Sequence, residues 1–278
     1  MISFDHAKNT FNAFAGQFDI SNPKIEIKVR HTYGVKEVCD YLAKSMSLNE
    51  TDYQLAMLIG LLHDIGRFEQ LTRFNSYDDR LLPHAEAGLF VLFDQNHIRD
   101  YIKTDKYDSV IYHAIKNHSL YEIDPALSGQ DLLHARLIRD ADKLDNCRVK
   151  IEDSVDAIID VDEVTAGQQY ITDKVWESCL RREAIVSAQR ETRMDYWVSY
   201  VRYFFDINFP ETYEIIKQEN YVERIIDRIP YSNPDTVKKM AQLKQIVLAY
   251  MEEQLSREYC SESCFLQFEK VLEIVWRR

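Results

Sequence analysis

Thirteen of the 278 residues are glycine or proline, seven and six respectively, about 5% where roughly 12% is usual. A sandwich or barrel needs turn residues about every 8–12 positions, and this chain does not have them. Helical periodicity fills the gap, and the expected fold class is all-α. Asn22-Pro23 reads as an N-cap with proline at the first helical position. Behind it Val35, Val38, Leu42 and Met46 keep one face apolar, and the alternating entry Ile25 to Val29 reads as the first turns of the same helix. Thr51 or Asp52 is expected to cap a second helix, apolar through Leu55, Leu58, Ile59 and Leu62 and stopped near Gly66. A polar loop, 75–80, leads into a helix over about 84–93, and two more are expected near 106–117 and 131–149. Past 150 the helical segments are 173–190, 193–206, 210–229, 234–256 and 261–277, broken near Pro210, Pro230 and Pro234. No internal repeat is visible. The acidic stretch 152–163 reads as a solvated helix face or loop.

Net charge narrows the partners. Lys and Arg number 34 against 46 Asp and Glu, a balance of −12 that gives no global footprint for nucleic-acid backbone but leaves room for a local basic pocket. The five cysteines, 39, 147, 179, 260 and 264, are odd in number and scattered, as reduced, inert thiols would be. Cys260 and Cys264 are four apart but have no third ligand nearby, which makes a poor zinc site. Asp5, His6 and Lys8 interrupt what a signal peptide would keep apolar. The longest strongly apolar run, Leu55–Leu62, is far short of the ~20 residues that span a bilayer. The expectation is a cytoplasmic protein with no membrane partner; oligomeric state has no signature here.

The chemistry concentrates in the first half. Seven of the eight histidines lie between positions 31 and 134, and His63-Asp64 sits at the end of the very apolar helix, where an unpaired carboxylate is expensive. A metal ion offsets that cost and orients both side chains. His31, then His63-Asp64 in HDIGRFEQ, His84 in PHAEAG, His118 in IKNHS and Asp142 in RDADKLD follow the order H…HD…H…H…D. In this the chain resembles the HD-domain metal-dependent phosphohydrolases, in the variant whose pattern implies two metals. The resemblance covers about residues 20–150 and implies an HD-domain-like helical bundle there; the helical pattern beyond it reads as an extension, 151–278, packed on that core as one continuous body.

What the resemblance implies about the site is specific. His31, His63, Asp64 and Asp142 would hold one ion, and Asp64 would bridge to a second held by His84 and His118. Imidazole with carboxylate suits Fe, Mn, Co, Ni or Zn better than calcium. The implied reaction is attack of a metal-bound hydroxide on the phosphate ester of a small molecule, nucleotide-like compounds among the candidates. Arg67, three after Asp64 and so able to share its face, and Lys143, beside Asp142, are candidates for binding phosphate and aiding catalysis. Arg139 and Asp145, a turn either side of Asp142, are candidates to orient the ligands. His113 would point about 140° away from His118 and His134 about 80° from Asp142, while His6 and His97 fit no pattern. The aromatic run 196–205 has the spacing of a buried helix face, with base stacking as the functional alternative. Two other readings keep the metals: a di-iron oxygenase, which the ligand set alone does not distinguish, and a non-catalytic metal-stabilised sensor or scaffold.

Overall fold

The structure is a computed structural model that describes residues 2–183, 185 and 187–276, with side chains described to residue 256 apart from that of residue 187. Every element among the described residues is helical, as an all-α chain requires. The chain divides into two compact units, Met1–Ala157 and Ile158–Arg278.

The first unit holds α1 (Phe4–Ala15), α2 (Pro23–Ser45), α3 (Glu50–Leu62), α4 (Ile65–Phe74), α5 (His84–Leu89), α6 (Ile98–Tyr101), α7 (Asp108–His118) and α8 (Gly129–Glu152). It also takes in α1, which lies ahead of the segment 20–150. Asn22 caps α2 by accepting from Lys24 N, with Pro23 at the first position, and the alternating stretch 25–29 is helical. The cap of α3 is Asn49, two residues before the expected Thr51 and three before Asp52, because its Oδ1 accepts from both their backbone N–H groups. The stop near Gly66 is also displaced. The helix ends at Leu62, the chain turns at His63-Asp64, and Gly66 lies inside α4, whose end is marked by the left-handed Asn75. The turn follows from Asp64, whose φ −106° and ψ 15° leave the helical region.

Helix α3 is the hub. Leu55, Leu58, Leu61 and Leu62 are fully buried, so both faces of the helix are covered, by α2 and α8 and by α1 and α7. Each such side chain contributes about 1.5–3 kcal/mol relative to exposure. Phe68 of α4 closes the end of this core with Phe11, Phe14 and Phe18 at ring-centroid distances of 5.2–5.9 Å. A π-helical turn, Phe90–Asp94, extends α5 over the segment expected to be helical to 93. The acidic stretch forms the end of α8 and the short α9 (Val155–Ile159), and its Asp153 pairs with Arg30.

The second unit holds α10 (Glu163–Gly167), α11 (Asp173–Leu180), α12 (Arg193–Val201), α13 (Pro210–Gln218), α14 (Tyr221–Ile226) and α15 (Pro234–Trp276). Two expected helices are shorter than their pattern. Arg182 and Asn220 adopt left-handed φ of 59° and 52°, which ends α11 near 181 and splits 210–229 in two. Conversely, 234–256 and 261–277 form one helix as far as Trp276, with no glycine or proline between them to break it; residue 277 and the side chains of Cys260 and Cys264 lie outside the described residues. Trp197 and Phe204 are fully buried, the core reading of the aromatic run. Cys39, Cys147 and Cys179 are buried free thiols, and burial pushes those of Cys147 and Cys179 up to about 12.

Candidate metal centre

Four helices and one turn converge on six side chains. His31 comes from α2, His63 and Asp64 from the α3–α4 turn, His84 from the first position of α5, His118 from the last of α7, and Asp142 from the middle of α8. They fall into two groups whose ligand-type atoms lie within 4.8 Å of one another: His31, His63 and Asp142, and Asp64, His84 and His118. All are buried except Asp142, whose side chain is 23% exposed, so the site opens on the α8 side.

Asp64 faces both groups. Its Oδ2 lies 3.7 Å from Nε2 of His31 and of His63, while its Oδ1 lies 3.4 Å from His84 Nε2 and 3.7 Å from His118 Nε2. Burial alone would raise this carboxyl, but Lys28 and the surrounding imidazoles outweigh it and hold it well below the ordinary carboxylate range. Lys28 Nζ sits 2.7 Å from Asp64 Oδ2.

The orientation of the four imidazoles carries the chemistry. Every one of them spends Nδ1 on an acceptor: His31 on Asp145 Oδ2 at 2.7 Å, His63 on Gly60 O at 2.9 Å, His84 on Asp79 Oδ1 at 2.6 Å and His118 on Ile115 O at 2.6 Å. A carbonyl or carboxylate oxygen can only accept, so Nδ1 carries a proton, and a ring that is neutral presents a bare lone pair at Nε2. Nε2 of His63 is buried without a hydrogen-bond partner, and Nε2 of His31 lies 3.0 Å from Asp142 Oδ1. His84 Nε2 and His118 Nε2 face each other at 2.9 Å, an arrangement of two lone pairs that is repulsive unless a cation or proton lies between them. Burial drives His63 down to about 4, and burial with the nearby Arg67 does the same to His84, so both rings are neutral at pH 7, the form that ligates metal. Burial and Lys28 press His31 down as well, yet Asp142 and Asp145 on either side prevail and raise it. Orphaned, inward-facing lone pairs grouped with carboxylates fit a divalent metal.

The supporting residues hold these rings in place. Asp145 also accepts from Arg148 through both oxygens, and α2 comes close enough for this only at Gly34, where an added Cβ would sit 1.9 Å from Asp145 Oδ1. Arg139 donates to Asn117 O at 2.9 Å and to Leu120 O at 2.6 Å, tying down the end of α7 that carries His118. Asp79 ties His84 to Arg67 and Gln70. Arg67 itself donates through Nη1 to Asp79, Gln70 and Tyr77 O, while its Nε, 3.7 Å from Asp64 Oδ1, is buried without a hydrogen-bond partner. Lys143 is buried on α8 next to Asp142, a position about 100° further round that helix.

The remaining histidines lie elsewhere. His134 bonds Asp52 across α8 and α3, His113 sits 3.9 Å from Asp131, His6 contacts Asp100 O and His97 bonds Asp100 Oδ2. Sequence reasoning missed Lys28 and Asp79. Lys28 is three residues before His31 on one helix, so its shared face was readable. Asp79 belongs to an irregular loop, and no periodicity points to it.

Asp145→Ala is expected to lower metal affinity about 10–100-fold by freeing His31 to rotate, the usual cost of losing the partner that orients a ligating imidazole. Metal content at graded chelator concentrations reads this directly.

Residues 29–147 match the family model described as HD domain. No curated protein and no solved structure matches the chain significantly. The matched segment contains all six residues of the two clusters. HD domains are a family of typically metal-dependent phosphohydrolases that bind divalent metals, and among the described residues no helix is long and apolar enough to cross a membrane. Over residues 29–147 the chain is similar to the HD domain, and its two clusters lie in that segment.

Proposed function

We propose that the chain is a metal-dependent phosphohydrolase that cleaves the phosphate ester of a small, nucleotide-like molecule, using two divalent transition-metal ions. The observation that supports this most is the common orientation of the four imidazoles, each fixed through Nδ1 with Nε2 turned toward Asp64 or Asp142. In this reading His31, His63 and Asp142 would hold one ion, His84 and His118 the other, and Asp64 would serve both. Ions in such a pair make a nucleophile of water at neutral pH and draw charge from the phosphoryl group.

The chain's own residues then have separable tasks. Asp145, Asp79 and the Gly60 and Ile115 carbonyls hold the proton on Nδ1 and keep Nε2 of each ring aimed inward. Arg67, anchored on Asp79, keeps one buried N–H free for a phosphate oxygen, which makes it the cation that steadies charge as the ester bond breaks. Lys143 is assigned the same work from the α8 side. Neither can ligate a metal while protonated.

Lys143→Ala and Arg67→Lys are therefore expected to keep the metal and lower kcat/KM by roughly 10–1,000-fold, about 1.4–4 kcal/mol of transition-state stabilisation. Unchanged kcat/KM with a lowered Tm would make either cation structural. The proposal as a whole is tested by elemental analysis of the purified protein, joined to a screen over nucleotides, dinucleoside polyphosphates, cyclic dinucleotides and simple phosphomonoesters. Phosphate release dependent on a divalent metal is expected. Iron-dependent O₂ consumption without phosphate hydrolysis would replace the hydrolase with an oxygenase, and bound metal with no turnover would favour a sensor or scaffold.

A further inference from the structure

One half-buried and one buried lysine border the clusters without bonding an imidazole. Lys28 lies one turn before His31 on α2, with its side chain 13% exposed and Nζ on Asp64 Oδ2. Lys150 lies two turns beyond Asp142 on α8 and is 4% exposed; its Nζ donates to Asn146 Oδ1 at 3.1 Å, and Asn146 Nδ2 donates to Asp142 Oδ1 at 2.8 Å.

Helices α2 and α8 run antiparallel in register. Gly34 and His31 meet Asp145, and Arg30 meets Asp153, so moving down α2 moves up α8. That register brings Lys28 level with Lys150, and the two ammonium groups feel each other: burial, then Lys28, lowers Lys150 to about 8.

Burying two like charges together is costly unless something compensates them. In the chain alone, Lys28 pairs with Asp64 directly, and Lys150 reaches Asp142 through Asn146. With divalent ions on those carboxylates, Lys28 would lose its partner and Lys150 its link to a negative charge. An anion bound beside the ions would restore a partner to both.

We propose that Lys28 and Lys150 form an anion subsite beside the clusters, and that the substrate carries a further anionic group, a second phosphate being the simplest, next to the phosphoryl group that is hydrolysed. This rests on the phosphohydrolase reading for the identity of the reacting group. The subsite itself is defined by binding.

The probes are inorganic phosphate and inorganic pyrophosphate, titrated calorimetrically into the metal-loaded full chain, with metal content measured before and after. Pyrophosphate is expected to bind at least about tenfold more tightly than phosphate, the scale of one added buried charge contact. Lys28→Met and Lys150→Met should each remove most of that preference and leave the metal in place. Pyrophosphate affinity unchanged in both variants would overturn the subsite, and so would loss of metal from Lys28→Met, which would reduce Lys28 to a support for Asp64. If Lys28→Met fails to fold, Lys150→Met decides by the same criterion.

The two readings fail separately. Lost pyrophosphate binding in the variants of a protein that hydrolyses no ester keeps the subsite and removes the hydrolase. Brisk hydrolysis of simple monoesters with normal binding in both variants keeps the hydrolase and removes the subsite.

Discussion

Asp64→Asn is expected to lower turnover by about 1,000-fold or more and to deplete metal from both clusters together. The change keeps the size and one carbonyl oxygen of the side chain but removes the charge and the second acceptor. Among the described residues Asp64 is the one within 3.7 Å of all four inward-facing imidazole nitrogens, with one oxygen toward each pair. Losing any other candidate ligand weakens one group, whereas losing this one weakens both. A 1,000-fold loss corresponds to about 4 kcal/mol. His31→Ala and Asp142→Ala should follow closely in activity but leave metal at the His84–His118 group. The structural side effect is calculable in sign: Lys28 would lose its ionic partner, so the metal-free variant should melt below the metal-free parent. Near-normal turnover with full metal content in Asp64→Asn would remove Asp64 from its place between two ions, and with it the two-ion site.

The residues that carry this prediction were legible in the sequence because each sits in a short, ordered context. The H…HD…H…H…D order survives without any knowledge of how the helices cross, since each side chain occupies a helix end or a single helix face. Helix α2 was legible to its first residue, because Asn22-Pro23 is a local signal that depends on nothing distant. The stop of α3 was not: Gly66 looks like a terminator, yet what breaks the helix is the conformation of Asp64, and Gly66 is there for a different reason. The split between α13 and α14 turns on one left-handed asparagine, Asn220, which periodicity cannot see. Partners across the fold, such as Asp79 for His84 or Lys28 for Asp64, are tertiary facts. Spacing narrows them only when both partners share a helix face.

Gly66→Ala is expected to be the most destabilising single-methyl change in the first unit. Inside an exposed helix the same change would stabilise by up to about 1 kcal/mol, because alanine loses less backbone entropy. Here the new Cβ would lie 2.1 Å from His84 O, 2.4 Å from Gly88 N and 3.0 Å from Ala87 C. All three are backbone atoms, so no side chain can rotate away, and α4 and α5 would have to separate by more than an ångström. Overpacking of this kind costs typically 1–3 kcal/mol, and a clash with backbone alone belongs at or above the upper end, about 3 kcal/mol. The displaced element is the one that begins with His84, so the loss should reach the metal as well as the melting temperature. The His84–His118 group should empty while His31, His63 and Asp142 keep theirs, giving a protein with roughly half the parental metal. Gly34→Ala tests the opposite arrangement. Its clash is with the Asp145 carboxylate, a side chain that can turn aside, so that variant should keep more of its stability and lose affinity at the His31 group instead. Thermal melting and metal content on the two variants, measured side by side, separate a backbone contact that holds the fold from a side-chain contact that aims a ligand. A Gly66→Ala protein as stable as the parent, with both groups loaded, would mean that α4 and α5 do not approach as closely as the site requires.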